Sequence, residues 1–209
     1  MHIRVLEEAD ADAYRRIRLN ALQHDPDAYG STYERESQFP PETFAARVKP
    51  DAGKFVLGVF ADESGDGSVG KSGDDGEDQG MFEGWPGDND KNTGEDEGND
   101  GNAKGRVLVG IASFVRESGM KSAHKGSVYG VYVSPESRGK GAGKTLMLAL
   151  IRRARGLDGL EQINLTVVSD NVTAKRLYES LGFEVYGIER RAIKYGGRYF
   201  DEELMVLRL

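Results

Sequence analysis

Arg138-Gly139-Lys140-Gly141-Ala142-Gly143-Lys144 is the stretch whose residue types and spacing point most directly to chemistry. Gly139, Gly141 and Gly143 let the backbone turn tightly with no Cβ in the way. From about Ala142 the chain reads as helix, with Leu146, Leu150, Ile151 and Ala154 as an apolar stripe and Arg152, Arg153 and Arg155 suited to its negative end. A helix N-terminus behind a glycine turn offers free N–H groups and a positive dipole end, which together favour phosphate. Arg138 and Lys144 add charge beside it. The turn is predicted to grip the pyrophosphate of a nucleotide-bearing cofactor; a strand-to-helix turn without a ligand fits the same glycines. Two familiar nucleotide motifs fail. A P-loop ending at Gly143-Lys144-Thr145 needs glycine at position 138, which is Arg, and the dinucleotide pattern starting at Gly139 needs glycine at 144, which is Lys.

The turn must hang on a strand, and Val128 to Val133 is β-branched and aromatic throughout. Pro135 cannot donate to a ladder and closes it. Upstream, Ile3 to Leu6 reads as a first strand, and Asp10 as the N-cap of a helix running to about Leu22 with Ala13, Ile17 and Ala21 on one face. His24-Asp25-Pro26-Asp27 breaks that helix, a polar-aromatic stretch from Ala28 to Glu36 follows, and Pro40-Pro41 opens a short helix carrying Phe44 and Val48. Lys54 to Phe60 and Arg106 to Val115 are strands, and Arg116 to Gly126 is a loop. Beyond the long helix, which Gly156 caps, Gln162 to Val168 is a strand and Val172 to Leu181 a helix ended by Gly182. Phe183 to Ile188 and a final pair around Gly196-Gly197, with Tyr199 to Leu209 as the last strand, complete a sheet.

The net charge of −7 is not uniform. Residues 61–105 hold 12 glycines, 14 acidic and 3 basic side chains, so the rest of the chain carries a net +4, which suits an anionic cofactor. Such a segment buries too little apolar surface to offset its ordering entropy and is predicted to be a disordered acidic insertion in a single domain spanning 1–209. Met81-Phe82-Glu83-Gly84-Trp85-Pro86 is its one apolar island, a loop tip or a docking element. The chain has no cysteine, so no thiolate nucleophile or disulfide is available. Its three histidines stand in no ligand spacing, and no metal is expected. No signal peptide or membrane-length apolar run opens the chain; a cytoplasmic protein without membrane or nucleic-acid partners is expected.

Arg138, Gly141 and Gly143, with the strand before them, resemble the coenzyme A loop of the GNAT acetyltransferase superfamily. Asn171-Val172-Thr173-Ala174-Lys175-Arg176-Leu177-Tyr178-Glu179-Ser180-Leu181-Gly182-Phe183 is similar to that superfamily's second signature, Asn-x-x-Ala-x-x-Leu-Tyr-x-x-x-Gly-Phe, and follows one strand later. The resemblance covers about residues 106–209 and is weaker over 1–60. It implies an α/β fold, a central and mostly antiparallel sheet of about six or seven strands flanked by about four helices. It also implies that the strand before the turn splays from its neighbour, with the backbone groups of Val131 and Val133 meeting the pantetheine arm of acetyl-CoA. Arg138, Gly139, Gly141, Gly143 and Lys144 would then surround the pyrophosphate, and Asn171 would meet the arm or lock the splay, although an N-cap role fits it too. Tyr178 matches the general acid that protonates the departing thiolate; on an apolar helix face it also fits a core aromatic.

The activity implied is transfer of acetyl from acetyl-CoA to a primary amine, on a small molecule or a protein, directly and without metal, by a monomer or homodimer. A non-catalytic acyl-CoA-binding domain of the same fold is the alternative, and a phosphate-binding NTPase a third. The base that takes the amine's proton is open. The family's carboxylate position falls near Ser127 or Tyr129, neither of which is acidic, leaving Glu34, Tyr129 or a water chain.

Overall fold

A computed structural model describes residues 1–62 and 105–209. The acidic stretch read as a disordered insertion lies outside the described residues, except for Ala61 and Asp62, which complete a strand, and Gly105, which precedes the next. The strands are β1 (His2–Val5), β2 (Lys54–Asp62), β3 (Arg106–Arg116), β4 (Lys125–Val133), β5 (Gln162–Val168), β6 (Glu184–Tyr195) and β7 (Arg198–Arg208). They form one sheet in the order β1-β2-β3-β4-β5-β7-β6. Every pairing is antiparallel except β4 with β5. The longer helices are α1 (Ala11–His24), α3 (Pro41–Val48), α4 (Ala142–Arg155) and α5 (Val172–Ser180); α2 (Tyr33–Glu36) is a single turn.

Strand side chains alternate between faces, so each face of the sheet acquires its own core. One gathers Val56, Leu108, Ile111 and Tyr132 against Tyr14 and Ile17 of α1 and Phe44 and Val48 of α3. The other gathers Phe55, Phe114, Ile163 and Met205 with Leu146, Leu150 and Ile151 of α4 and Tyr178 of α5. Phe55 stacks on Phe114 with centroids 5.1 Å apart, which aligns β2 with β3 on that face.

Local details differ from the sequence reading. Asp10 stands at the start of α1 but does not cap it; its carboxylate takes two hydrogen bonds from Arg4 and one from the Glu7 amide, because a nearby guanidinium outcompetes a backbone donor. Phe183 precedes the strand, and the predicted break after Ile188 is bridged: β6 is one strand with register shifts, one of them around Arg191, whose φ is 57° and whose amide donates to Asp201.

Candidate active site

A cavity of about 1450 Å³ begins where β4 and β5 part. Their parallel ladder holds only from Lys125–Gln162 to Ser127–Asn164. From Leu165 onward β5 pairs with β7 alone, while β4 continues beside β3. The divergence coincides with a bulge in β4 opposite Ala112, where Gly130 takes φ 61°, a left-handed value that glycine adopts at no steric cost. The bulge also keeps Tyr132 on the α1 side of the sheet, while Val128 faces α4.

At the far end of β4 the chain makes a short turn over Pro135–Ser137 and enters α4 at Gly141. Gly139 and Gly141 have φ of 74° and 79°, whereas Gly143 is already helical. The first bond of the helix runs from the Thr145 amide to the Gly141 carbonyl at 3.0 Å. The amides of Ala142, Gly143 and Lys144 therefore precede any intrahelical acceptor. Gly139, Gly141, Ala142, Gly143 and Lys144 all line the cavity. A chain turn that brings free amides and a dipole end to the mouth of a cavity fits a pyrophosphate.

Arg138 lines the cavity too, and it also makes contacts that the sequence did not show. Its Nε donates to the Val133 carbonyl at 2.9 Å, its Nη2 pairs with Asp25, and its guanidinium lies 5.6 Å from the Tyr132 ring centroid. Arg138 thus straps β4 to the end of α1, and its charge is balanced by Asp25. Lys144, exposed and in no ion pair among the described residues, is a cation of the turn that borders the cavity. Val131 and Val133 line the cavity, but both carbonyls already take one donor, the first from Tyr29 and the second from Arg138.

Asn171 lies at the cavity wall and caps α5, its Oδ1 accepting from the Ala174 amide at 3.1 Å. About two turns on, the same helix carries Tyr178, whose ring packs edge-on against Phe183 at 6.0 Å and which is only 6% exposed. Its position also lines the cavity, so the core role and the site role coexist. Burial pushes the phenol up to about 12.

Glu34 is not brought to this cavity. It lines a separate pocket with Leu22, Gln23, Thr32, Tyr33 and Tyr195. The reason is helical: Glu34 and Glu36 are two positions apart, about 200° around the α2 axis, so only one of them can face inward. Glu36 does, and is 1% exposed. Arg18 donates to both of its carboxylate oxygens at 2.8 and 3.1 Å, and Arg47 to one at 2.6 Å. Burial alone would raise this carboxyl, but the hydrogen bonds and charge of Arg18, with the hydrogen bond of Arg47, outweigh it and hold it at about 2. Such a carboxylate is a poor base. Arg18 also covers the Tyr29 ring at 4.9 Å, and the Tyr29 hydroxyl is pushed well above its ordinary value, chiefly by burial.

Glu36, Arg18 and Arg47 carried no functional assignment from sequence, whereas Tyr29, with Tyr33 and Glu34, hinted there at a cationic amine acceptor. Glu202 of β7 gave no signal, since it sits in a strand whose acidic pair, Glu202-Glu203, resembles ordinary edge polarity. The register shows that Glu202 lies opposite Val168 at the end of β5 that has left β4, and it lines the cavity. No three His, Asp or Glu among the described residues are placed so that they could hold a metal ion together, and no helix among them is long and apolar enough to cross a membrane.

A parted parallel pair, a glycine turn into a helix and a buried tyrosine one helix later define a GNAT-type acyltransferase cleft. The acetyltransferase (GNAT) family profile matches residues 74–183, just over half of the chain, and this chain belongs to that family. The solved structure of the putative acetyltransferase yncA from Salmonella typhimurium with acetyl-CoA superposes with a TM-score of 0.67 at 24% identity, covering 100% of this chain and 94% of that one, which supports the fold. The mycothiol acetyltransferase of Thermobispora bispora is 47% identical over 64 residues, 31% of this chain and 21% of the relative. The L-methionine sulfoximine/L-methionine sulfone acetyltransferase of Pseudomonas aeruginosa is 36% identical over 107 residues, 51% of this chain and 61% of the relative. The matches thus span about a fifth and about three fifths of those relatives' lengths.

Proposed function

We propose that this chain is an N-acetyltransferase that moves acetyl from acetyl-CoA to a primary amine by direct transfer in a ternary complex. The observation that carries this reading is that the unpaired edge of β4, the amides at the start of α4 and Tyr178 all border one cavity. The residues suit the cosubstrate. Val131 and Val133 border the gap left by β5 and can meet the amides of a pantetheine arm. Ala142, Gly143 and Lys144 offer backbone donors to a pyrophosphate, with Lys144 supplying charge. Acetyl-CoA supplies an acyl group activated as a thioester; the protein positions it, excludes water and moves protons.

Tyr178 is the proton donor to the leaving sulfur. A phenol held near 12 is fully protonated at neutral pH and remains a donor to a thiolate formed beside it. Asn171 fixes the start of the helix that carries Tyr178 and borders the same cavity. The acceptor amine belongs on the α1–α3 side, where Tyr14, Arg18, Tyr29, Glu36 and Arg47 form the wall. The acceptors named for the two relatives, mycothiol-related and methionine-sulfone-type molecules, support a small-molecule amine as the first class to test.

The test is release of coenzyme A thiol from acetyl-CoA by the purified full chain with L-methionine sulfone, spermidine and a peptide with N-terminal alanine, each product read by mass. Amine-dependent release with one added acetyl group is expected for at least one. Saturable acetyl-CoA binding without transfer to any would favour a binding domain, and absence of binding would remove the reading altogether.

A further inference from the structure

Four carboxylates line the cavity, and three have evident occupations. Asp25 is paired with Arg138, Glu36 is held by Arg18 and Arg47, and Glu42 is exposed in the first turn of α3, where the helix dipole favours it. Glu202 differs. It is half-buried, and among the described residues it makes no ion pair. A carboxylate withdrawn from water without a cation costs stability, and such groups concentrate where they act on a ligand.

Its surroundings explain why no cation neutralises it. Along β7, Asp201 draws Arg190 and the amide of Arg191, and Glu203, on the opposite face, draws Lys175 of α5. Across β6 the residue directly opposite is Glu189, another acid. On β5 the neighbours are Val168 and Thr166. From the turn after α1, Asp25 is engaged by Arg138 and Tyr29 by the Val131 carbonyl. Burial first, then the charge of Glu189, raise the Glu202 carboxyl above its ordinary value, against a smaller opposing hydrogen bond from Thr166. Alternation places Glu202 on the face away from Glu203 and Met205, the α1–α3 face where Arg18, Tyr29 and Glu36 form the acceptor wall.

We propose that Glu202 is the missing cation site and proton acceptor of the acceptor half-site: its carboxylate holds the incoming amine as an ammonium and takes its first proton, directly or through one water. This rests on the transfer reading above. The acceptor enters as R–NH3⁺ and gives one proton to Glu202, which passes it to solvent. The nitrogen lone pair then forms the C–N bond to the acetyl carbon, and the C–S bond breaks. Sulfur takes the Tyr178 proton, and Tyr178 recovers one from the nitrogen through solvent. One proton is released per turnover, and no oxidant or metal enters. The acceptor class that follows is a cationic primary amine, not an aniline, amide or hydroxyl.

The test compares wild type, Glu202→Gln and Glu202→Asp, using L-methionine sulfone, spermidine and the alanyl peptide as acceptors. E202Q is expected to lose about 100-fold or more in kcat/KM at pH 7. The deficit should shrink as pH rises toward the amine's own pKa, because solvent then delivers free amine. E202D should recover part of the rate. The acetyl-CoA Kd should stay within about threefold, since Glu202 is on the α1–α3 face of the sheet whereas α4 packs on the other. Independently of turnover, the carboxyl resonance that E202Q removes from a ¹³C-carboxyl NMR titration should titrate above the ordinary glutamate range. A loss equal at every pH, a rate within about threefold of wild type, or a carboxyl titrating at or below the ordinary value would each overturn the assignment while leaving acetyl transfer intact. Acetyl-CoA binding with no transfer to any acceptor by wild type would overturn both.

Discussion

The Tyr29 hydroxyl donates to the Val131 carbonyl at 3.1 Å, joining residues 102 positions apart. It pins the connection after α1 onto the bulged part of β4, with Arg18 stacked over the same ring at 4.9 Å. This hydrogen bond, together with the Arg138 strap from Val133 to Asp25, ties the proposed acceptor wall to the edge of β4 proposed to meet the cosubstrate. Tyr29→Phe keeps the ring and the cation–π contact and removes only the donor. A loss of about 1 kcal/mol is expected, with a Tm lower by about 2–4 °C, while acetyl-CoA affinity changes little. Calorimetric melting and acetyl-CoA titration check this; an unchanged Tm would mean that the bond does not persist in solution.

Tyr178→Phe preserves the packing on Phe183 and deletes the proton donor. We expect kcat to fall by about 100-fold or more, with acetyl-CoA binding retained. The sign of the pH dependence is fixed by burial: the phenol is active when protonated, and its pKa is pushed up to about 12. The wild-type rate should therefore show no basic limb from this group between neutrality and about pH 10. A basic limb within that range that disappears in Y178F would contradict the assignment of the shift.

Much of this arrangement was legible in the chain. β5 was predicted at its observed bounds, and α4 and α5 fell where their apolar stripes and glycine or asparagine punctuation placed them. Local pattern sufficed because those elements are amphipathic and self-delimiting. What stayed hidden depends on partners distant in sequence. Asp10 prefers a guanidinium on β1 to its own helix, Arg138 is diverted to Asp25, and the face of Glu202 is set by its register with β5 and β6. Glu34 and Glu36 are equivalent as residue types; only the packing of α2 decides which is buried.

Gly141 starts α4 at φ 79°, with no heavy atom within 4 Å of where a Cβ would stand. Gly141→Ala therefore meets no clash, and its cost is conformational, about 1–2 kcal/mol. The turn should relax toward negative φ and move the amides of Ala142, Gly143 and Lys144. Acetyl-CoA binding is expected to weaken by about tenfold or more while the far-UV circular dichroism stays native. Affinity equal to wild type, measured by calorimetric titration, would show that these amides do not hold the phosphates.

The Arg18–Glu36–Arg47 cluster makes a prediction about stability. A carboxyl held at about 2 in the folded chain, against an ordinary 4.5, favours the folded state wherever the unfolded chain would bind the proton more readily. That contribution is complete above about pH 4.5 and is lost as pH falls toward about 2. Glu36→Gln should cost about 3 kcal/mol at pH 7, because it leaves two arginines without their shared anion. It should also flatten the decline of Tm with acid in that window. An E36Q profile parallel to wild type between those pH values would place the acid sensitivity elsewhere.

In the proposed enzyme, the edge of β4 freed by β5, together with the start of α4, receives acetyl-CoA. Residue-resolved hydrogen exchange of the full chain with and without acetyl-CoA tests it most directly. Protection should appear at the amides from Gly130 to Val133 and from Gly141 to Thr145, with little change at Glu34 or along β1. Saturating acetyl-CoA that leaves both stretches exchanging at their free rates would contradict the account.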